Sequence, residues 1–250
     1  LGSEGVKALI VETTRVEDEG RTPSEKIAEH LLKDNLLKSD TDRGLIVTTF
    51  SSHIARISSI VNAAVDIGRI PILLGRSMEK YSSIAEVIKI LDLPSDAHMY
   101  GNFKSIQRML KRVLKDGKEK YLLIVTGHQG EPDALLTRIS NKKLPYVIKK
   151  DDQVIFSANI IPNPINVANR YALETKLKLQ GARLFKGAHV SGHASREDHR
   201  DFLKILQPEN VIPCHGELRM LASYAELAEN LGYDLNKNLF ILRNGQKVEL

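Results

Sequence analysis

"GLIVTTFSSHIARISSIVNAAVDIGRIPILLG" (residues 44–75) decides how the rest of the chain is read. It opens on a short apolar run at 44–50, passes through a stretch with helical spacing at 53–68, and returns to a second apolar run at 70–75. Runs that are continuously apolar, rather than alternating, suit strands buried on both faces, and strand, helix and strand in succession make a parallel crossover unit. The pattern recurs. Further strand-like runs stand at 6–12, 121–127, 152–158, 182–187 and 210–216, and helical patterns at 24–37, 77–91, 103–116, 131–140, 164–180, 195–206 and 217–231. This alternation predicts an α/β architecture with a mainly parallel sheet flanked by helices. Thr22, Pro23 and Ser24 ahead of Glu25 mark a helix start, and Asn244-Gly245 near the other end predicts a hairpin turn.

Length and composition narrow the function classes. A chain of 250 residues with 42% hydrophobic and 27% charged residues can bury a full core, as one large domain or two unequal ones. No apolar run approaches the roughly 20 residues of a membrane span, so no membrane partner is expected. The single cysteine, Cys214, excludes an intrachain disulfide framework, and with no secretory-signal pattern the expected location is the cytoplasm. Lys and Arg total 36 against 31 for Asp and Glu, a net of +5, which suits a polyanionic partner. The excess is partly local: "FKSIQRMLKRVLKDGKEKY" (103–121) holds seven basic and two acidic residues. It reads either as a helix with a solvated basic face or as a surface that tracks phosphates.

Four short motifs carry polar chemistry. In His189-Val190-Ser191-Gly192-His193 the two histidines have the spacing of a zinc-binding helix. Val190 stands where that motif has glutamate, however, and Gly192 discourages helix. A turn after the 182–187 strand fits better, aiming His193 outward with Ser191 and Ser195 nearby as donors for a phosphate. His215, in Pro213-Cys214-His215-Gly216-Glu217, follows an apolar run and so stands at a strand's carboxyl end, where α/β sheets open their sites. A hydrogen-bonded structural histidine fits the same motif, and Cys214 reads as a thiolate ligand or as a small buried hydrophobe. Glu12 ends the first strand, where a carboxylate can cap a turn, bind a metal or orient a histidine. Around His128 and Gln129, Gly127 and Gly130 predict a strand-to-helix loop with exposed amides favouring an anion, although it is neither a Walker loop nor a dinucleotide fingerprint. His53, Arg76 and Arg138 are further candidate ligand contacts. His30 and His98 read as exposed helix or loop residues, and His199 with Asp198 as a solvated helix start.

Taken together and in this order, "ALIVETTRVEDEGRTPSE", "GRSMEK", "VTGHQGEP", "HVSGHAS" and "IPCHGE" resemble the beta-CASP branch of the metallo-beta-lactamase nucleases, and within it the archaeal ribonuclease J type. The resemblance runs over nearly the whole chain. It implies a beta-CASP domain at 22–186, preceded by the end of a lactamase-like half at 1–21 and followed at 187–250 by a C-terminal piece of the metallo-beta-lactamase αββα sandwich. It implies RNA as substrate, with a 5′-monophosphate, degraded from the 5′ end by a centre of two zinc ions. His193 corresponds to the family histidine that protonates the leaving oxygen, Glu12 to the acid that holds that histidine, and His215 to a metal ligand. Such an acid needs a raised pKa, which an adjacent carboxylate supplies. Ser191 and Ser195 flank His193 as in the family, and Gly127, His128 and Gly130 resemble its 5′-phosphate region. Where relatives often have serine this loop has His128, so the resemblance does not carry hydroxyl recognition to that position. His53 becomes a candidate RNA contact.

The family's His-x-His-x-Asp-His segment is absent, since no His-x-His occurs in these 250 residues. The expectation is therefore a C-terminal portion whose partner is a missing N-terminal lactamase-like half, with most zinc ligands outside the chain and no activity from the chain by itself. Two alternatives stand beside the exonuclease: a non-catalytic RNA-binding or dimerisation module, with a possible homodimer, and an endonuclease of the polyadenylation cleavage factor type.

Overall fold

In the computed structural model the described residues are 2–37, 42–161, 163–187 and 189–250. They form two compact units, one from residues 1–23 with 191–250 and one from 24–190. In chain order, β1 (Ala8–Glu12) belongs to the smaller unit. The larger then runs through α1 (Glu25–Leu37), β2 (Leu45–Thr48), α2 (Ile54–Asp66), β3 (Ile70–Leu74), α3 (Arg76–Val87), β4 (His98–Tyr100) and α4 (Phe103–Asp116). It continues with β5 (Tyr121–Val125), α5 (Leu135–Ser140), β6 (Gln153–Phe156), α6 (Pro164–Leu179) and β7 (Arg183–Phe185). The chain returns to the smaller unit for α7 (Arg196–Leu206), β8 (Asn210–Cys214) and α8 (Leu218–Glu229).

The larger unit is a parallel six-stranded sheet in the order β4-β3-β5-β2-β6-β7. Continuous apolar strands explain why it sits between two cores. Ile46, Leu123 and Val154 point to one face, where they meet Leu110 of α4, Ile139 of α5 and Leu177 of α6. Their sequence neighbours Val47, Ile124 and Ile155 point to the other, against Leu36 of α1, Ile60 of α2 and Met78 of α3. Strand β2 leads into α2 on one face and β5 into α5 on the opposite face, so the adjacent carboxyl ends of β2 and β5 are a topological switch point, the place where such sheets open a crevice.

In the smaller unit β1 and β8 pair in parallel, with Glu12 opposite Cys214. Leu9, Val11 and Val211 bury one face against Leu203 of α7 and Tyr224 and Leu227 of α8. Four expectations are corrected here. The 6–12 run is not buried on both faces, because Ile10 is 68% exposed and only one side of this two-stranded sheet is covered. The helix expected at 131–140 starts at Leu135, after a turn at 132–134 that ends with Ala134 in extended backbone. Asn244-Gly245 forms a turn but no hairpin: the chain before it lies along β8, with the Phe240 amide donating to the Val211 carbonyl and the Val211 amide to that of Asn238. His98, read as a helix or loop residue, stands on the edge strand β4 and is half-buried. No helix among the described residues is long and apolar enough to cross a membrane.

Candidate functional site

In the smaller unit the parallel register sets the site. Glu12 and Cys214 are partners at the carboxyl ends of β1 and β8, so Glu12 and His215 emerge side by side. Thr13 and Thr14 tie the two strand ends, their hydroxyls donating to the Cys214 and His215 carbonyls at 3.3 and 3.4 Å. His215 takes the left-handed backbone (φ 52°), uncommon for a residue with a side chain, and the next residue must be glycine: a Cβ at Gly216 would lie 2.4 Å from the Thr13 hydroxyl. The 191–195 turn brings in His193. Its Nδ1 lies 3.4 Å from Glu12 Oε2, and its ring is near-parallel to that of His215, with centroids 6.2 Å apart. Glu12, His193 and His215 therefore share one edge of this sheet, with His193 exposed enough to meet a ligand.

Opposing influences fix the charge of Glu12. Burial pushes its pKa up, but hydrogen bonds from Thr14, including the backbone amide at 2.7 Å, and the nearby imidazoles of His193 and His199 outweigh it, so the carboxyl titrates below its usual range. His199 also departs from its expected setting. It is not a solvated helix start but buried, at 2% exposure, because α7 packs this face onto α8, where His199 meets Tyr224 edge-on at 5.1 Å. Burial lowers its pKa, partly offset by Glu12, and its Nε2 and the Tyr224 hydroxyl have no hydrogen-bond partner. Ser195, expected as a phosphate donor, is buried and occupied: it forms a capping box with Asp198 at the start of α7 and shares a 3.1 Å hydrogen bond with the Thr22 hydroxyl. Thr22, expected to cap α1, instead donates that same hydroxyl to the His193 carbonyl at 2.8 Å, bracing the histidine turn. The Ser191 hydroxyl accepts from the His193 amide at 3.2 Å.

In the larger unit the sequence candidates gather around the β2–β5 switch point. His53 caps α2 by accepting the Arg56 amide on Nδ1, which leaves Nε2 3.6 Å from Glu25. Arg56, which sequence reasoning missed, is fully buried. Its guanidinium donates to the Glu25 carboxylate and to the carbonyl and hydroxyl of Ser157 just after β6, and lies 3.3 Å from His189 Nδ1. Burial and the Arg56 charge push the His189 pKa down to about 4. Arg56, Ser157 and His189 come from separate segments, and no local spacing signals that they meet.

The glycine loop differs from its expected form. Residues 127–130 are buried, and their polar groups face inward: the Gln129 amide donates to Glu131 and the His128 carbonyl accepts from Arg170. Gly130 has φ 77°, and a Cβ there would sit 2.4 Å from the Asn169 backbone in α6, so close approach, not amide exposure, requires the glycine. His128 packs edge-on against Phe50, ring centroids 3.9 Å apart, with neither ring nitrogen in a well-formed hydrogen bond among the described residues, and burial together with the Arg170 charge lowers its pKa to about 4.

The resemblance implies zinc, and the donor set can be tested against it. Among the described residues no group of three or more His, Cys, Asp or Glu is placed to hold a metal ion. Glu12 is engaged by Thr14 and faces Nδ1 of His193, which leaves the exposed imidazoles of His193 and His215 as the open nitrogen donors at this edge. These residues do not by themselves make a zinc centre.

Comparison with known proteins bears on the same residues. Residues 42–172 match the family described as "Ribonuclease J, beta-CASP domain", and residues 181–239 match "Zn-dependent metallo-hydrolase RNA specificity domain". The chain is 55% identical over 247 residues to ribonuclease J of Methanocaldococcus jannaschii, covering 98% of this chain and 55% of that protein. With ribonuclease J of Pyrococcus abyssi it shares 51% identity over 251 residues, covering 100% of this chain and 55% of the relative. For ribonuclease J of a Synechocystis species the identity is 35% over 255 residues, covering 100% and 38%. The chain thus spans about half the length of the archaeal relatives.

Proposed function

The chain belongs to the ribonuclease J beta-CASP family, and from that premise we propose that it serves in a metal-dependent ribonuclease that degrades RNA from a 5′-monophosphorylated end. The observation that carries this reading is the convergence of Glu12, His193 and His215 on one sheet edge. With Nδ1 turned to Glu12, Nε2 is the nitrogen that His193 can present to a substrate. Glu12, as a carboxylate, fixes the ring orientation, and His193 as general acid delivers a proton to the oxygen leaving phosphorus. Thr22 and Ser191 brace the turn, so that the acid is aimed before substrate arrives. His215 would supply one ligand to a two-zinc centre whose other ligands lie outside these residues, and that centre, when bound, would supply Lewis-acid activation of water and charge neutralisation at phosphorus. By itself the chain is inactive. His53 contacts RNA, while Gly127, His128 and Gly130 shape the crevice wall rather than offering amides to phosphate. The assembly works in the cytoplasm, and dimerisation is compatible with it.

The test is product analysis with the polypeptide that carries these residues. RNA labelled at its 5′ phosphate should release the label as mononucleotide, and the same RNA with a 5′ hydroxyl should be degraded more slowly. Labelled oligonucleotides as first products, with no preference between the two ends, would instead indicate an endonuclease. No RNA cleavage at all would leave the RNA-binding module, a reading that the basic helix α4 favours.

A further inference from the structure

Helix α4 and the edge strand β4 combine three features that the proposed chemistry does not use. The first is a line of charge. Lys104, Arg108, Lys111 and Lys115 recur at i, i+4, i+7 and i+11, which places all four on one helix face, and all are exposed. The opposite face, Ile106, Met109, Leu110 and Val113, is buried in the core. The charges run for about 16 Å along the axis, in steps comparable to the spacing of phosphates in an extended strand. Among the described residues none of the four has a carboxylate partner, whereas Arg112 beside them pairs with Asp116.

The second feature is a cavity of about 310 Å³ between α4 and β4, lined by Tyr100, Ser105, Arg108, Met109 and Arg112. Arg108 belongs both to this lining and to the line of charge. The half-buried Tyr100 ring and two guanidinium groups offer a planar, apolar and cationic lining, the combination on which a nucleobase stacks. Three residues along the chain, Phe103 is 45% exposed, with the Arg138 guanidinium 5.2 Å from its ring centre.

The third feature is position. Strand register places Tyr100 level with Leu74, Leu74 with Val125, and Val125 with Thr48, so Tyr100 lies on the same carboxyl edge of the sheet as the β2–β5 switch point. Three strand spacings separate β4 from β2, about 14 Å, a distance that a few nucleotides span.

We propose that the Tyr100 cavity and the Lys104–Arg108–Lys111–Lys115 face form an accessory binding site for single-stranded RNA, gripping a segment several nucleotides from the one held at the β2–β5 switch point. The proposal rests on the reading of the chain as RNA-binding. The cavity takes a base and the helix tracks the backbone that follows, so the site favours long substrates without reading sequence.

The test uses the 250-residue chain, a fluorescent polyuridine long enough to span both regions, and a 5′-phosphorylated dinucleotide. Lys104, Lys111 and Lys115 are changed together to Gln, surface substitutions that keep the helix. The triple variant should bind polyuridine at least about tenfold more weakly near physiological salt, with a salt slope smaller by about two, since each single-strand phosphate contact contributes about 0.7. Dinucleotide affinity should be unchanged. Tyr100→Leu should weaken polyuridine binding while leaving the salt slope as it was, separating stacking from charge. Equal affinity and equal slope for parent and triple variant, with polyuridine bound by both, would overturn the accessory site and leave the nuclease reading standing. Failure of the parent chain to bind polyuridine even at low salt would overturn both.

Discussion

Glu12 and His199 show how much one buried ring changes the reading of a residue. The Asp198-His199 pair in sequence suggests a hydrated helix start, yet His199 is buried against Tyr224, near enough to Glu12 to feel its charge, with an unpaired Nε2. Only the packing of α7 on α8 reveals this. His128 is the sharper case, and its pKa of about 4 makes a stability prediction. A histidine whose folded pKa lies below its unfolded value of about 6.5 binds its proton more readily when the chain is unfolded, so stability is intact above that value and is lost as pH falls toward 4. Between pH 7 and pH 5 this single group should cost about 2 kcal/mol, and His189, shifted the same way, adds to the slope. Urea denaturation of a His128→Gln variant should show a visibly flatter loss of stability over that range. An unchanged pH profile would mean that His128 is protonated in the folded protein.

At the level of elements, α2 is anchored through one buried cation. Arg56 ties its first turn to Glu25 in the first turn of α1 and to Ser157 at the end of β6, while His53 caps the helix from the preceding residues. A guanidinium with no exposed surface is stable only because those partners satisfy its donors. Arg56→Met should therefore lower the stability of the larger unit by about 3 kcal/mol, less to the extent that Glu25 regains water. The accompanying change of Glu25→Gln should recover part of the loss, a coupling that a double-mutant cycle by chemical denaturation measures. Additive losses would show that the two groups stabilise the helices independently.

Across the whole molecule, what was legible in the sequence was what local pattern controls. The cores of β2, β3, β5 and β6 announce themselves because each is continuously apolar and covered on both faces. Strand β4 does not, being three residues long and half-buried on an edge, and the sheet order is set by pairings between distant segments. Glu12, His193 and His215 could be singled out because each stands in a short motif. Arg56 could not, because its partners arrive from three separate segments, and Ser195 was assigned to a ligand because capping and phosphate binding use the same hydroxyl. The direct test of the central claim is RNA turnover by the polypeptide carrying these residues, compared with its His193→Ala variant. Loss of the positioned acid should lower kcat by about 100-fold or more with RNA affinity little changed. A variant that degrades RNA within a few-fold of the parent rate would contradict it.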